Sequence, residues 1–126
     1  MSNKEDIVFL SGKRTPFGAF GGSLKDFSAT ELGVISSEAA LKQSGLKPDQ
    51  IDHVIFGNVI QSDENSIYAP RHIGLKNGIP EEVPSLGVNR LCGSGFQSIV
   101  SAAFEIKTSN AKTALVGGIE SMSQVP

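Results

Sequence analysis

The sequence predicts an α/β layered domain, and three observations carry that prediction. Short continuous apolar runs, Ile7-Val8-Phe9-Leu10, His53-Val54-Ile55-Phe56 and Thr113-Ala114-Leu115-Val116, read as strands buried on both faces, as strands covered by helices are. The segments between them carry helix start and stop signals. The resulting order, β-α-β-α-β-α-β, favours helices layered on a sheet, and no internal repeat or low-complexity segment interrupts it.

The first strand is expected at Ile7–Leu10, closed by Ser11-Gly12. Lys13 to Phe27 holds Pro16, Gly18, Gly21 and Gly22 among three phenylalanines, so a long loop that packs its aromatics is expected. Its glycines miss both phosphate-loop spacings. Ser28-Ala29-Thr30-Glu31 fits a capping box, in which the serine and glutamate side chains satisfy free backbone donors at a helix start. Leu32, Ile35, Ala39 and Leu41 are the expected apolar stripe of that helix, and Gly45 is placed to end it in a left-handed conformation.

After a turn at Leu46–Asp49, His53–Gly57 reads as the second buried strand, followed by Asn58–Gln61 and a polar loop. Tyr68 to Asn77, with Pro70 in its first turn and Gly78 beyond its end, predicts a short helix. Pro80 and Pro84 exclude a helix from Glu81 to Asn89, where an extended segment is expected. From Gly93 to Lys107, Phe96, Ile99, Val100, Ala103 and Phe104 recur at helical spacing, while Gly93, Ser94, Gly95, Ser98, Ser101 and Ala102 keep another face small. Such a helix should pack closely on several sides. Thr113–Val116 is the last strand, and Gly117-Gly118-Ile119-Glu120-Ser121-Met122-Ser123 follows it.

Composition excludes several function classes. The 126 residues are 39% hydrophobic, enough for one compact domain and too few for two. A net charge of -2 without a Lys/Arg cluster argues against nucleic acid or an anionic membrane surface as partner. No apolar run approaches the roughly 20 residues needed to cross a bilayer. Met1 to Asp6 lacks secretory and transit patterns, so a cytoplasmic location is expected. One cysteine with two scattered histidines, His53 and His72, offers neither a disulfide nor zinc-ligand spacing, and no metal is expected.

Chemistry concentrates at Asn89-Arg90-Leu91-Cys92-Gly93-Ser94-Gly95-Phe96, where the only cysteine falls between an extended segment and a helix. Free N–H groups and the positive dipole end of a helix start stabilise a thiolate and can lower a thiol pKa that is about 8.5 in isolation. The same N–H groups can hold an oxyanion. Gly93 and Gly95 leave room for a large substrate at helix positions where glycine costs roughly 1 kcal/mol relative to alanine. Cys92 is therefore the candidate nucleophile.

Its partners are less evident. His53 at a strand edge and His72 within a short helix read as structural or surface histidines. Glu120 reads equally as a site carboxylate and as an acceptor of loop N–H groups. Asn58 and Asn89 read as residues that orient backbone, and Arg14 and Arg71 as partners of loop carboxylates.

Taken together, Arg14-Thr15-Pro16-Phe17-Gly18 with Phe20-Gly21-Gly22, Gly57-Asn58-Val59, Asn89 to Gly95, and Gly117 to Ser123 resemble the successive N-terminal motifs of the thiolases, in order along nearly the whole chain. The resemblance is strongest to the 3-ketoacyl-CoA thiolases and acetyl-CoA acetyltransferases. It implies a thiolase-like fold, the N-terminal half of a layered α-β-α arrangement with a mixed sheet, so that residues 1–126 form an incomplete N-terminal thiolase domain without the loop and C-terminal domains. It implies ping-pong acyl transfer in fatty acid metabolism, with Cys92 holding the acyl thioester, acetyl-CoA and coenzyme A as substrates and no bound cofactor.

The family's Gly-His-Pro histidine, Asn-Glu-Ala-Phe asparagine and second cysteine have no counterpart here, so the isolated chain is expected to be inactive. A last strand that in the family returns after the inserted loop domain is also expected to be missing. An exposed sheet edge and an uncovered apolar face should result. Family members are dimers or tetramers, and Pro84–Asn89 resembles the strand that pairs across the dimer. Two alternatives stay open: a non-catalytic thiolase-like binding module, and a half-enzyme complemented by a second chain.

Overall fold

A computed structural model describes residues 6–126. Three helices and three strands alternate: α1 (Ala29–Ser44), β1 (His53–Gly57), α2 (Ala69–Lys76), β2 (Ser85–Val88), α3 (Ser94–Lys107) and β3 (Ala114–Gly118). The strands form one sheet in the order β2-β1-β3, with both pairings parallel. The described strands therefore contain no antiparallel member of the expected mixed sheet.

Side-chain alternation along β1 sends Val54 and Phe56 to one face and Ile55 and Gly57 to the other. The first face carries the main core, in which Val54, Phe56 and Leu115 pack with Ile73 of α2 and Ala29 and Leu41 of α1. The second face carries α3, whose Ser94 lies against Gly57. All five β1 residues are buried, which explains why the strand reads as a continuous apolar run. Asp52 pins the start of β3 beside it, accepting hydrogen bonds from the N–H groups of Lys112 (2.8 Å) and Thr113 (3.0 Å).

α1 begins as expected. Ser28 Oγ accepts from the Glu31 N–H at 3.1 Å, and the Glu31 carboxylate accepts from the Ser28 N–H at 2.8 Å. Those bonds hold the Glu31 carboxyl below the ordinary glutamate range, the backbone N–H contributing most. Gly45 ends the helix at a φ of +73°. The buried face differs from the expected stripe, however. Ala29, Gly33, Ser37 and Leu41 face inward, while Ile35 and Ala39 are exposed. A Cβ at Gly33 would stand 2.5 Å from Ile73 Cδ1 and 2.8 Å from Ile119 Cγ2, so small residues set the approach of α1.

Other expectations are corrected as well. Ile7–Leu10 is not a strand, and Phe9 is 72% exposed. This segment flanks a groove of about 340 Å³ whose other wall is β3, so the two do not pair. The loop phenylalanines do not pack inward either: Phe17 is 92% exposed, with the Arg14 guanidinium 5.4 Å from its ring centroid. Arg14 also donates to the Thr15 carbonyl, and Arg71 donates to the carbonyls of Glu81 (2.9 Å) and Val83 (2.8 Å). Both arginines thus serve backbone oxygens instead of loop carboxylates, and Arg71 braces the turn that leads into β2.

Among the described residues, α3 is packed on one side, against the sheet. Its small face, Ser94, Ser98 and Ala102, is buried on the sheet, whereas Phe96, Val100 and Phe104 are exposed. Among the described residues, the outer edge of β3 carries no strand. The exposed edge and uncovered apolar face expected from the sequence are both present.

Candidate active site around Cys92

The C-terminal ends of three parallel strands converge on one cleft, the usual place for a site in an open α/β sheet. Asn58 follows β1, Asn89 to Cys92 follow β2, and Ile119-Glu120 follow β3. The cleft encloses about 640 Å³, and Asn58, Cys92, Gly95, Glu120 and Phe20 are among its walls. Cys92 is exposed in its wall and has no disulfide partner.

The local sequence explains the geometry. Leu91 has a φ of +48°, which reverses the chain between β2 and α3. Ser94 locks the reversal: its Oγ donates to the Leu91 carbonyl at 2.6 Å and accepts from the Arg90 N–H at 2.8 Å. The N–H groups of Gly93 and Ser94 donate to the carbonyls of Arg90 (3.0 Å) and Leu91 (3.1 Å). Among the described residues, the Cys92 N–H has no hydrogen-bond acceptor. It lies two residues before the start of α3, in the turn that carries the sulfur, where a free N–H can donate to an oxyanion.

Glycines set how closely α3 approaches the sheet. A Cβ on Gly57 would come within 2.5 Å of the Ser94 carbonyl carbon and oxygen, so glycine is required there for Ser94 to lock the turn. Gly95 differs, because a Cβ there would meet nothing within 4 Å and would point into open space beside the cysteine. It keeps the cleft open, as expected. Gly93 does not line the cleft, and a Cβ there would face the Arg90 carbonyl oxygen at 3.4 Å.

Glu120 satisfies both of its sequence readings. It lines the cleft, and its carboxylate accepts from Asn58 Nδ2 (3.1 Å), the Val59 N–H (3.1 Å) and the Ile60 N–H (3.2 Å). Asn58 Nδ2 also donates to the Ile119 carbonyl at 3.1 Å, joining the segments after β1 and β3. Asn89 bridges from Val59 to Leu91, as a residue that orients backbone. His53 is buried at the opposite end of β1, and the His72 ring packs edge-on to Tyr68 at 6.4 Å. Neither histidine lines the cleft.

Ser94 and Leu91 were not singled out as residues that shape the site. Leu91 carried no signal, because leucine is an unusual residue in the left-handed region. Ser94 could have been found as a hydroxyl placed to accept from the backbone N–H four residues before it.

The site thus defines an α/β protein with an exposed cysteine at a strand-to-helix turn. The chain belongs to the thiolase family: residues 7–126 match the family model described as "Thiolase, N-terminal domain". It is 53% identical over 120 residues to human "3-ketoacyl-CoA thiolase, mitochondrial", across 95% of this chain and 30% of the relative. It is 46% identical over 121 residues to "Beta-ketothiolase BktB" of Cupriavidus necator, across 96% of this chain and 31% of that protein. The fold matches the crystal structure of human mitochondrial 3-ketoacyl-CoA thiolase in complex with CoA at a TM-score of 0.92 and 55% identity, covering 93% of this chain and 30% of that one. The chain therefore spans about 30% of the length of these relatives. The human name places that relative in mitochondria and gives the cytoplasmic expectation no support.

Proposed function

We propose that Cys92 is the acyl-carrying nucleophile of an acyl-CoA C-acyltransferase that cleaves or forms a 3-ketoacyl-CoA. The observation that carries this reading is the exposed Cys92 in an open cleft, with its own N–H unengaged among the described residues, in the turn that leads into α3. The names 3-ketoacyl-CoA thiolase and beta-ketothiolase, and the CoA bound in a related structure, support CoA thioesters as the substrate class.

In the cleavage direction the Cys92 thiolate adds to the keto carbon, and the Cys92 N–H stabilises the resulting oxyanion. The carbonyl re-forms as the bond between C2 and C3 breaks. The electron pair leaves on C2 and is protonated to give acetyl-CoA. The shortened acyl group stays on sulfur until the thiol of coenzyme A attacks it, which transfers the acyl group and returns the Cys92 thiol. Synthesis reverses these steps, with Cys92 carrying acetyl from one acetyl-CoA to the enolate of another.

Proton transfer in these steps needs a base and an acid. The described walls of the cleft hold no histidine, and the Glu120 carboxylate among them is already engaged by three N–H donors, so we assign the proton transfers to groups outside these walls. Intact-mass measurement after incubation with acetyl-CoA tests the reading. We expect no adduct on the chain alone and a single acetyl adduct once a C-terminal thiolase half is added, lost in Cys92→Ser. An adduct that persists in Cys92→Ser, or none in the reconstituted pair, would sink the proposal.

A further inference from the structure

Resting on the reading of Cys92 as the nucleophile, we propose that Glu120 is its positioning residue, acting through Val59 and Asn89 on the turn that presents the sulfur. The argument starts at Leu91, whose φ of +48° is unfavourable for a residue with a Cβ. Such a conformation persists where its surroundings over-determine it, and at functional sites it often belongs to the mechanism. Both peptide groups of Leu91 are held. Its carbonyl accepts from Ser94 Oγ (2.6 Å) and the Ser94 N–H (3.1 Å), and its N–H donates to Asn89 Oδ1 at 3.0 Å.

Asn89 is exposed, so its side chain needs an anchor to keep Oδ1 on Leu91. Asn89 Nδ2 supplies it by donating to the Val59 carbonyl at 3.3 Å. Val59 in turn lies in the segment after β1, outside the sheet. Its N–H and that of Ile60 are gathered by the Glu120 carboxylate at 3.1 and 3.2 Å, together with Asn58 Nδ2 at 3.1 Å. A carboxylate offers acceptors only, so it suits a position where three N–H donors meet; a glutamine would turn its own NH₂ against them. The relay therefore runs from Glu120 to Val59, Asn89, Leu91 and Cys92, and ties together the ends of β3, β1 and β2. Glu120 does not have to touch the substrate for this role.

The test compares the chain with Glu120→Gln, Asn89→Ala and the double variant. Two quantities are read: the rate at which iodoacetamide alkylates Cys92, and the amide resonances of Leu91 and Cys92 in ¹H–¹⁵N spectra. Each single substitution should slow alkylation about tenfold, the scale of one lost hydrogen bond in a coupled set, and the double variant should be no slower than either single. The Leu91 and Cys92 resonances should shift while those of α1 and α2 stay in place, an outcome that general destabilisation would not produce. Asn89 is exposed, so an unchanged Asn89→Ala overturns the relay even where Glu120→Gln unfolds, and Glu120→Asp, which keeps the carboxylate but shortens its reach, then carries the Glu120 arm with the same expected slowing. A rate and spectrum like those of the parent chain in Asn89→Ala or in a folded Glu120 variant, or rate losses that simply multiply, would overturn the relay. Neither readout requires acyl transfer, so failure of the acetyl-adduct experiment and failure of this one are separate results.

Discussion

At the scale of single residues, the site depends as much on absent side chains as on the cysteine. Gly57 is the sharpest case, since a Cβ there would fall 2.5 Å from backbone atoms of Ser94, which cannot rotate away as a flexible side chain would. Gly57→Ala should therefore push the start of α3 off β1 and cost about 1–3 kcal/mol, the range for overpacking. Urea denaturation measures the loss, and a midpoint equal to that of the parent chain would contradict the close approach. The substitution should also disturb the Ser94 hydrogen bonds that lock Leu91. The position of Cys92, in the turn between β2 and α3, was legible in the sequence because a lone cysteine sat between an extended segment and small helix residues. The role of Glu120 was only half legible: the sequence placed a carboxylate beyond a strand, but its donors, Asn58 to Ile60, lie some 60 positions earlier.

At the scale of elements, local signals were reliable where the backbone itself sets the boundary. The Ser28–Glu31 capping box and Gly45 bound α1 as expected, and His53–Gly57 is a strand over its whole predicted length. Ser28→Ala should remove about 1 kcal/mol of stability by leaving the Glu31 N–H without its cap. The cap is also pH-dependent. Glu31 has a lowered folded pKa, so its stabilising contribution is present above the unfolded glutamate value of about 4.3 and disappears as pH falls through the folded value. Thermal unfolding of the parent chain should thus lose stability on acidification below that range, and Glu31→Gln should lose less of it. Equal acid sensitivity in the two would count against the cap. What the sequence did not reveal was which helix face turns inward. Hydrophobicity pointed to Ile35 and Ala39 in α1 and to Phe96 and Phe104 in α3, whereas Gly33, Ser37, Ser94 and Ser98 are buried. Close helix approach selects small residues, so the contact face is the less hydrophobic one.

At the scale of the whole molecule, that inversion leaves apolar surface uncovered. Phe96, Val100 and Phe104 lie on the outer face of α3, with Phe96 76% exposed, and among the described residues β3 presents an unpaired edge toward Ile7–Leu10. Burial on both faces, which the apolar run at Ile7–Leu10 implies, requires neighbours on both sides. Without a paired strand the segment stays open, so a correct reading of its composition gave an incorrect element. A contiguous apolar face and a free edge favour self-association, and a net charge of -2 supplies little electrostatic repulsion against it. The 126-residue chain should therefore associate as its concentration rises and bind a hydrophobic dye such as ANS. Phe104→Glu places a charge on the exposed face of α3, away from Ser98 and Ala102, and should weaken both effects without loss of helix. Sedimentation velocity across a dilution series, with circular dichroism as the control for folding, reads the outcome. A parent chain that remains monomeric at every concentration would show that the exposed stripe is tolerated in water, and the association argument would fail.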